Sequence, residues 1–402
     1  MARSLAMNAK TATSRFPGWS VAWAAFAIAA FSWGIGFYGP SVFLQTLHLT
    51  RGWPIAIISS AITVHFLLSA LIITYLPEIH RSWGIASTTT VGALLSAGGV
   101  LAWSGAWQPW QIFGAAGMSG AGWAMTSGAA LNAMIARWFE RERPRALSLA
   151  FNGASVGGIV FVALWIALIA KFGFLAAATL IGSSTLIVTP ALAYRFLRHN
   201  PNDYGLNPDG DVVHSAPKKA APARPRAALM WEQRFLTHSA AFALGLFVQI
   251  GLFAHLIARS APVIGTTASG AAVSVATLCA VIGRIAMGHS LGIRDRSVAA
   301  AANFAVQCTG ILLLALGANP FAQWLGCILF GLGVGNLTTL PPLIAQQEFN
   351  RADAVVVVAL VIAINQAIFA FAPAVFGVLR QVTESYEVPF LLAGRSSVPL
   401  PG

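Results

Sequence analysis

Charged residues gather in a few short clusters along this chain, and the apolar intervals between them carry the first structural information. Runs free of Asp, Glu, Lys and Arg occupy 16–50, 52–77, 146–170, 172–194, 235–258, 260–283 and 354–379, and two longer runs occupy 82–136 and 297–347. A helix needs about 20 apolar residues to cross the hydrocarbon layer, where its backbone must be paired internally and an ionised side chain is costly. Each shorter run therefore predicts one spanning helix. Each longer one predicts two, divided by the turn signals Gly105-Ala106-Trp107-Gln108-Pro109 and Gly317-Ala318-Asn319-Pro320. The pattern reads as eleven helices; strands of about 10 residues in strict alternation, the mark of a membrane β-barrel, are not what it contains.

The clusters set the orientation. Of the 24 Lys and Arg residues, nineteen fall on one side if the N-terminus is inside, and only Arg51, Lys171, Arg259 and Arg380 fall in outer loops, with Arg395 near the end. Basic residues in short loops favour the cytoplasmic side, so the N-terminus and the central linker are expected in the cytoplasm of a multi-pass protein of the cell (inner) membrane. Arg137, Arg141, Arg143 and Arg145, in ALNAMIARWFERERPRALSLAF at 130–151, then anchor the loop between the fourth and fifth helices. The net charge of +12 is absorbed by this asymmetry and calls for no nucleic acid. Tryptophans at segment ends, Trp19, Trp53, Trp83, Trp107, Trp110, Trp138 and Trp231, fit interfacial belts.

Composition agrees: 57% of residues are hydrophobic and 9% charged, with mean hydropathy +0.73, far from the roughly one quarter charged of a soluble domain. Cys279, Cys308 and Cys327 lie in apolar stretches without CxxC spacing, which suggests neither a disulfide framework nor a zinc site. The first apolar run is too long for a signal-peptide core of about 7–15 residues and should remain as a span.

Residues 197–233, LRHNPNDYGLNPDGDVVHSAPKKAAPARPRAALMWEQ, are rich in Pro, Ala and charge and read as a cytoplasmic linker. They divide an N-terminal six-helix bundle, 1–196, from a C-terminal bundle, 234–402. Weak internal matches share one phase: Phe139 and Arg141 fall on Phe349 and Arg351, Gly34 on Gly245, and His80-Arg81 on Asp295-Arg296. They support two parallel halves with a substrate between them near mid-membrane. By that symmetry a twelfth helix should follow Glu387, but the apolar stretch 388–394 gives way to ArgSerSerValProLeuProGly, so this helix reads as truncated.

Three segments carry a family resemblance. RWFERERPRALSLAFNGASVGGIV, 137–160, resembles the loop and fifth helix of the major facilitator superfamily, LRHNPNDYGLNPDG, 197–210, looks like its segment after the sixth helix, and GRIAMGHSLGIRDR, 283–296, is similar to its eighth helix and following loop. The pattern is nearest to the branch of monocarboxylate transporters and oxalate/formate antiporters. The resemblance implies an all-α integral membrane fold of two pseudo-symmetric six-helix bundles and alternating-access transport, secondary active or facilitative, of a small organic anion. It further implies a monomer in the lipid bilayer, no cofactor, no metal and no enzymatic activity. There are departures: the loop after the second helix, LPEIHRSWG at 76–84, has His80 near the family's acidic position; Ala280 stands where monocarboxylate carriers have Asp; and Tyr38 stands near an absent first-helix Lys.

Candidate substrate contacts follow. The resemblance puts Arg284 where the family binds a substrate carboxylate, and a guanidinium forks onto a carboxylate strongly at low dielectric. The alternative is an arginine snorkelling to the cytoplasmic face. His65, mid-span with Ser69 one turn on, reads as proton carrier or hydrogen-bond donor, or else as a neutral histidine bonded to a neighbouring helix. Gly34, Tyr38, Ser41 and Gln45 follow helical spacing as one polar stripe, and Gln249 occupies the place of Tyr38 in the second half. Asn336 with Thr339, and Asn365 with Gln366, add uncharged polar groups that line the cavity or bond helix to helix. Gly153-Ala154-Ser155-Val156-Gly157 fits GxSxG, but inside a span it reads as a packing face rather than a nucleophile elbow, as does Gly331-Leu332-Gly333-Val334-Gly335. No Asp or Glu lies well inside a span, which favours exchange, facilitated diffusion or coupling through His65. Efflux of apolar or cationic compounds and a non-transporting receptor or scaffold remain as alternative functions.

Overall fold

The computed structural model describes residues 16–211, 224–290 and 296–372, with the single positions 375, 376, 379 and 383. The expected truncated helix after Glu387 lies outside the described residues, as do Lys10, Lys218, Lys219 and Arg294. Eleven long helical segments are found among those described: α1 (Gly18–Arg51), α2 (Ile55–Thr74), α3 (Ile85–Gly105), α4 (Gln111–Thr126, resumed as Gly128–Ala136), α5 (Arg143–Phe172), α6 (Phe174–Leu197), α7 (Gln233–Ile264), α8 (Thr266–Ser290), α9 (Arg296–Leu316), α10 (Pro320–Glu348) and α11 (Arg351–Phe369). Both turn signals hold, with α3 ending at Gly105 and α10 starting at Pro320. Ten of these segments are long and apolar enough to cross a membrane. The exception, α4, is interrupted by the extended backbone of Ser127 (φ −87°, ψ −159°), before Gly128 restarts the helix.

A hydrophobic cluster containing Ile35, Phe43, Trp103, Trp165 and Ile181 unites α1, α3, α5 and α6, and one containing Leu252, Ala276, Ile311 and Phe330 unites α7 to α10. A third, from Val21 and Phe151 to Phe242, Leu340 and Ala363, runs through both groups at the end of the molecule that carries the linker. That end is called the linker face.

Glycines permit the closest helix contacts. A Cβ on Gly153 or Gly157 of α5 would sit 2.0 or 2.3 Å from the carbonyl oxygen of Phe26 or Ala30 on α1, and one on Gly331 would sit 2.5 Å from Ala276 O on α8. Both glycine motifs are therefore backbone-to-backbone packing faces.

One local feature departs from the sequence pattern. Trp33–Phe37 is a π turn, closed by Tyr38 N–H on Trp33 O at 2.9 Å. The Gly34 carbonyl accepts instead from Trp165 Nε1 on α5 at 3.2 Å. The wider turn shifts the helical phase between Gly34 and Tyr38, so the expected stripe does not continue on one face: Gly34 is buried and Ser41 exposed.

The linker is more ordered where it leaves α6 than its composition suggests. Short turns at Pro201–Tyr204 and Pro208–Gly210 dock on the loop between α4 and α5. The Asp209 carboxylate accepts from the backbone N–H groups of Glu140, Arg141 and Glu142, and Arg137 donates to Asn200 Oδ1 at 2.8 Å. Arg143 donates to the carbonyls of Phe139 and Ala136 at 2.8 and 2.7 Å, capping α4. The Asn, Asp and Pro side chains of this segment are turn formers, which is why it folds locally without a core.

Candidate transport site

Arg284 is positioned by the contact of α8 with α5 and α10. Gly283 packs on the Leu332 carbonyl, and Gly335 leaves room for the guanidinium, since a Cβ there would lie 2.9 Å from Nη2. On the other side Ser148 Oγ donates to the Arg284 carbonyl at 2.9 Å. The side chain then extends away from this level: Nη1 donates to Phe151 O (3.0 Å), Asn152 Oδ1 (2.8 Å) and Ser155 Oγ (3.2 Å), and Nε to Gly335 O (3.1 Å). Because α5 starts at the linker face, residues three to seven beyond Ser148 lie about 5–10 Å deeper along its axis. A snorkelling arginine would point the opposite way. Arg284 is 5% exposed, and all its acceptors are neutral.

Tyr38 joins this group. Its ring packs on Gly158, one turn beyond Ser155 on the same stripe of α5. Asn336 neighbours Gly335, but its Nδ2 donates to Asn303 Oδ1 of α9 at 2.8 Å, leaving Oδ1 buried without a partner. Gln249 accepts from Gln307 Nε2 of α9 at 3.3 Å, inside the second helix group. His65 is inside the first: its Nδ1 lies 2.8 Å from Ser119 Oγ, which also accepts from Trp103 Nε1 at 3.1 Å. Asn365 is buried with Oδ1 unpartnered. Its neighbour Gln366 crosses between the groups, accepting from Trp123 Nε1 (3.0 Å) and donating to Phe66 O (3.0 Å) and Ser69 Oγ (2.6 Å). Thus Arg284 and Tyr38 pack on neighbouring turns of one stripe of α5, Asn336 borders Arg284, and His65, Gln249 and Asn365 stand apart. Sequence reasoning missed Asn152 as a partner of Arg284; its signal was a polar side chain immediately before the first glycine of a packing motif.

A second cross-link was also missed. At the end of the linker, Arg224 binds the buried Asp353 of α11 through Nε (2.7 Å) and its backbone N–H (2.8 Å), while Arg226 donates to Thr74 O of α2 at 3.2 Å, pairs with Glu78 and stacks 4.6 Å from the Tyr75 ring. The hydrogen bonds and ion pairs described between the groups, from Gln366–Ser69 to Arg351–Glu140, reach no further from the linker face than the middle of α2 and α4.

Two groups of long apolar helices meet around a buried arginine, the architecture of a multi-span membrane protein. The Major Facilitator Superfamily model matches residues 25–373, and the chain belongs to that family, whose members move solutes by alternating access. Its fold is similar to the fucose:proton symporter FucP of E. coli (TM-score 0.71) and to a structure of FucP in the outward conformation (TM-score 0.67), each at 13% identity and covering 93% of this chain and 95% of that one. No curated protein sequence matches it.

Proposed function

We propose that this transporter carries a small organic anion whose carboxylate binds Arg284. The observation that carries the reading is a buried guanidinium, turned toward the bilayer interior, whose described acceptors are all neutral. A buried unpaired charge is costly, and an incoming carboxylate would relieve that cost. Nη2, the nitrogen beside Gly335, carries no hydrogen bond among the described residues and is the free arm of the fork. The resemblance to monocarboxylate and oxalate/formate carriers supports the same class. A cationic substrate has less support: among the described residues the buried carboxylates, Asp353 and Asp209, both lie at the linker face, the first paired with Arg224 and the second held by backbone N–H groups of the α4–α5 loop.

With the N-terminus and linker cytoplasmic, as the distribution of arginines predicts, the linker-face contacts tie the two helix groups together on the cytoplasmic side.

Counterflow in proteoliposomes against mono- and dicarboxylates tests the reading. Arg284→Gln should abolish exchange with normal yield and size-exclusion profile, and Arg284→Lys, which keeps the charge without the planar fork, should weaken it. Undiminished uptake by Arg284→Gln would overturn the assignment.

A further inference from the structure

We propose that the anion is an aromatic carboxylate, its ring held among Phe37, Phe66 and Phe369 while its carboxylate meets Arg284. This rests on the anion reading above and adds the chemistry of the rest of the substrate. Tyr38 is the link, because it packs on the stripe of α5 whose Asn152 and Ser155 hold Arg284. From Tyr38 the ring centroids run 5.1 Å to Phe37, then 6.1 Å to Phe66 and 6.1 Å to Phe369, so the array crosses from α1 through α2 to α11 and joins both helix groups. All four rings are half-buried. Behind them Trp123, 3% exposed and 6.1 Å from Phe37, is packed away.

Several polar groups beside these rings are already committed, His65 Nε2, on a ring 4.8 Å from that of Phe66, being an exception. Trp123 Nε1 is spent on Gln366, and Gln366 Nε2 on Ser69 and the Phe66 carbonyl. A polyol would find few open partners there without breaking those bonds, whereas a flat apolar ring needs none of them and gains offset or edge-to-face contacts. An anion as small as formate would use Arg284 and leave the rings untouched. The arrangement therefore selects a body that is planar and apolar at one end and anionic at the other.

The test is binding by the purified full chain in nanodiscs, with benzoate, cyclohexanecarboxylate and acetate as probes. Benzoate should bind about tenfold tighter than acetate, and several-fold tighter than cyclohexanecarboxylate, which has similar bulk but no π face. Phe37→Leu and Phe66→Leu should each bring benzoate toward the acetate level with acetate unchanged, while Phe37→Tyr, which keeps the ring, retains the preference and serves where a leucine variant fails to fold. Equal affinity for benzoate and acetate, with Arg284→Gln still abolishing both, would overturn the ring assignment and leave the anion reading standing. Equal affinity for benzoate and cyclohexanecarboxylate would likewise overturn it. Binding of none of the three would overturn both.

Discussion

Arg226→Ala should loosen the linker face. Arg224 is tied to α11 and Arg226 to α2, and two residues of extended chain reach only about 7 Å. The groups cannot part along this edge unless one attachment breaks. The Arg224 side is the stronger, since Asp353 is fully buried and also accepts from Asn350 Nδ2 at 2.7 Å. Arg226 is the weaker side. Its ion pair joins side chains 29% and 41% exposed, and such solvent-screened pairs contribute at most about 1 kcal/mol. Its bond to the Thr74 carbonyl adds about 1.5 kcal/mol and its stacking on Tyr75 about 0.5–1 kcal/mol. Against these stands Nε, buried without a partner, at about 1 kcal/mol.

The net is about 2 kcal/mol, or roughly a 30-fold shift toward the open linker face, because 1.4 kcal/mol corresponds to about tenfold. Spin labels at the exposed positions Ser82 and Arg234, in a background without the three native cysteines, would read the distance distribution by double electron–electron resonance. The open population should rise in Arg226→Ala, and Arg226→Lys, which keeps the charge but not the planar stack, should fall between. A distribution unchanged in Arg226→Ala, with normal yield, would refute the strap.

Two further outcomes follow from local geometry. Gly153→Leu should cost about 3 kcal/mol or more and collapse the yield of folded protein, because no side chain fits against the Phe26 carbonyl, whereas Gly114→Ala, with open space at its Cβ, should leave yield and Tm unchanged. Burial, and secondarily the charge of Arg137, lowers the pKa of His80 from 6.5 to about 4, so the unfolded chain takes up this proton first as pH falls. The stability that His80 contributes should be complete above pH 6.5 and decline from there to about pH 4, and Tm in detergent should lose part of its acid sensitivity in His80→Gln; identical pH profiles would exclude the effect.

The spans were legible because hydrocarbon penalises charge residue by residue, a local rule that needs no knowledge of neighbours. The break at Ser127 and the π turn at Trp33–Phe37 were not, because each changes backbone geometry inside an unbroken apolar run. For the π turn the consequence reached the site: Tyr38 was found by helical spacing from Gly34, yet it meets Gly158, one turn from the Ser155 that holds Arg284, through a turn that spacing does not contain. Arg284 was visible as an arginine in a span, but its direction depends on acceptors more than 120 residues away on α5. The role of the linker was hidden for the same reason, since Arg224 and Arg226 find partners 129 and 152 residues distant in a segment with no periodicity.

The loop after α2 shows how these hidden contacts change the meaning of a visible departure. LPEIHRSWG carries His80 near the position where the family has an acid. His80 is buried with Nε2 unpartnered, and it makes no ion pair among the described residues. The acid two residues earlier, Glu78, reaches Arg226 of the linker instead, and through Arg224 that linker holds Asp353 at the start of α11. A connection between the α2 end and the α11 start therefore exists, routed through a short arm of the linker rather than made directly by the loop. A strap of this kind can be released by moving one flexible arginine, with the helices it joins left intact. Opening of the linker face in this chain is thus expected to depend on linker residues 224–226 more than on the loop itself.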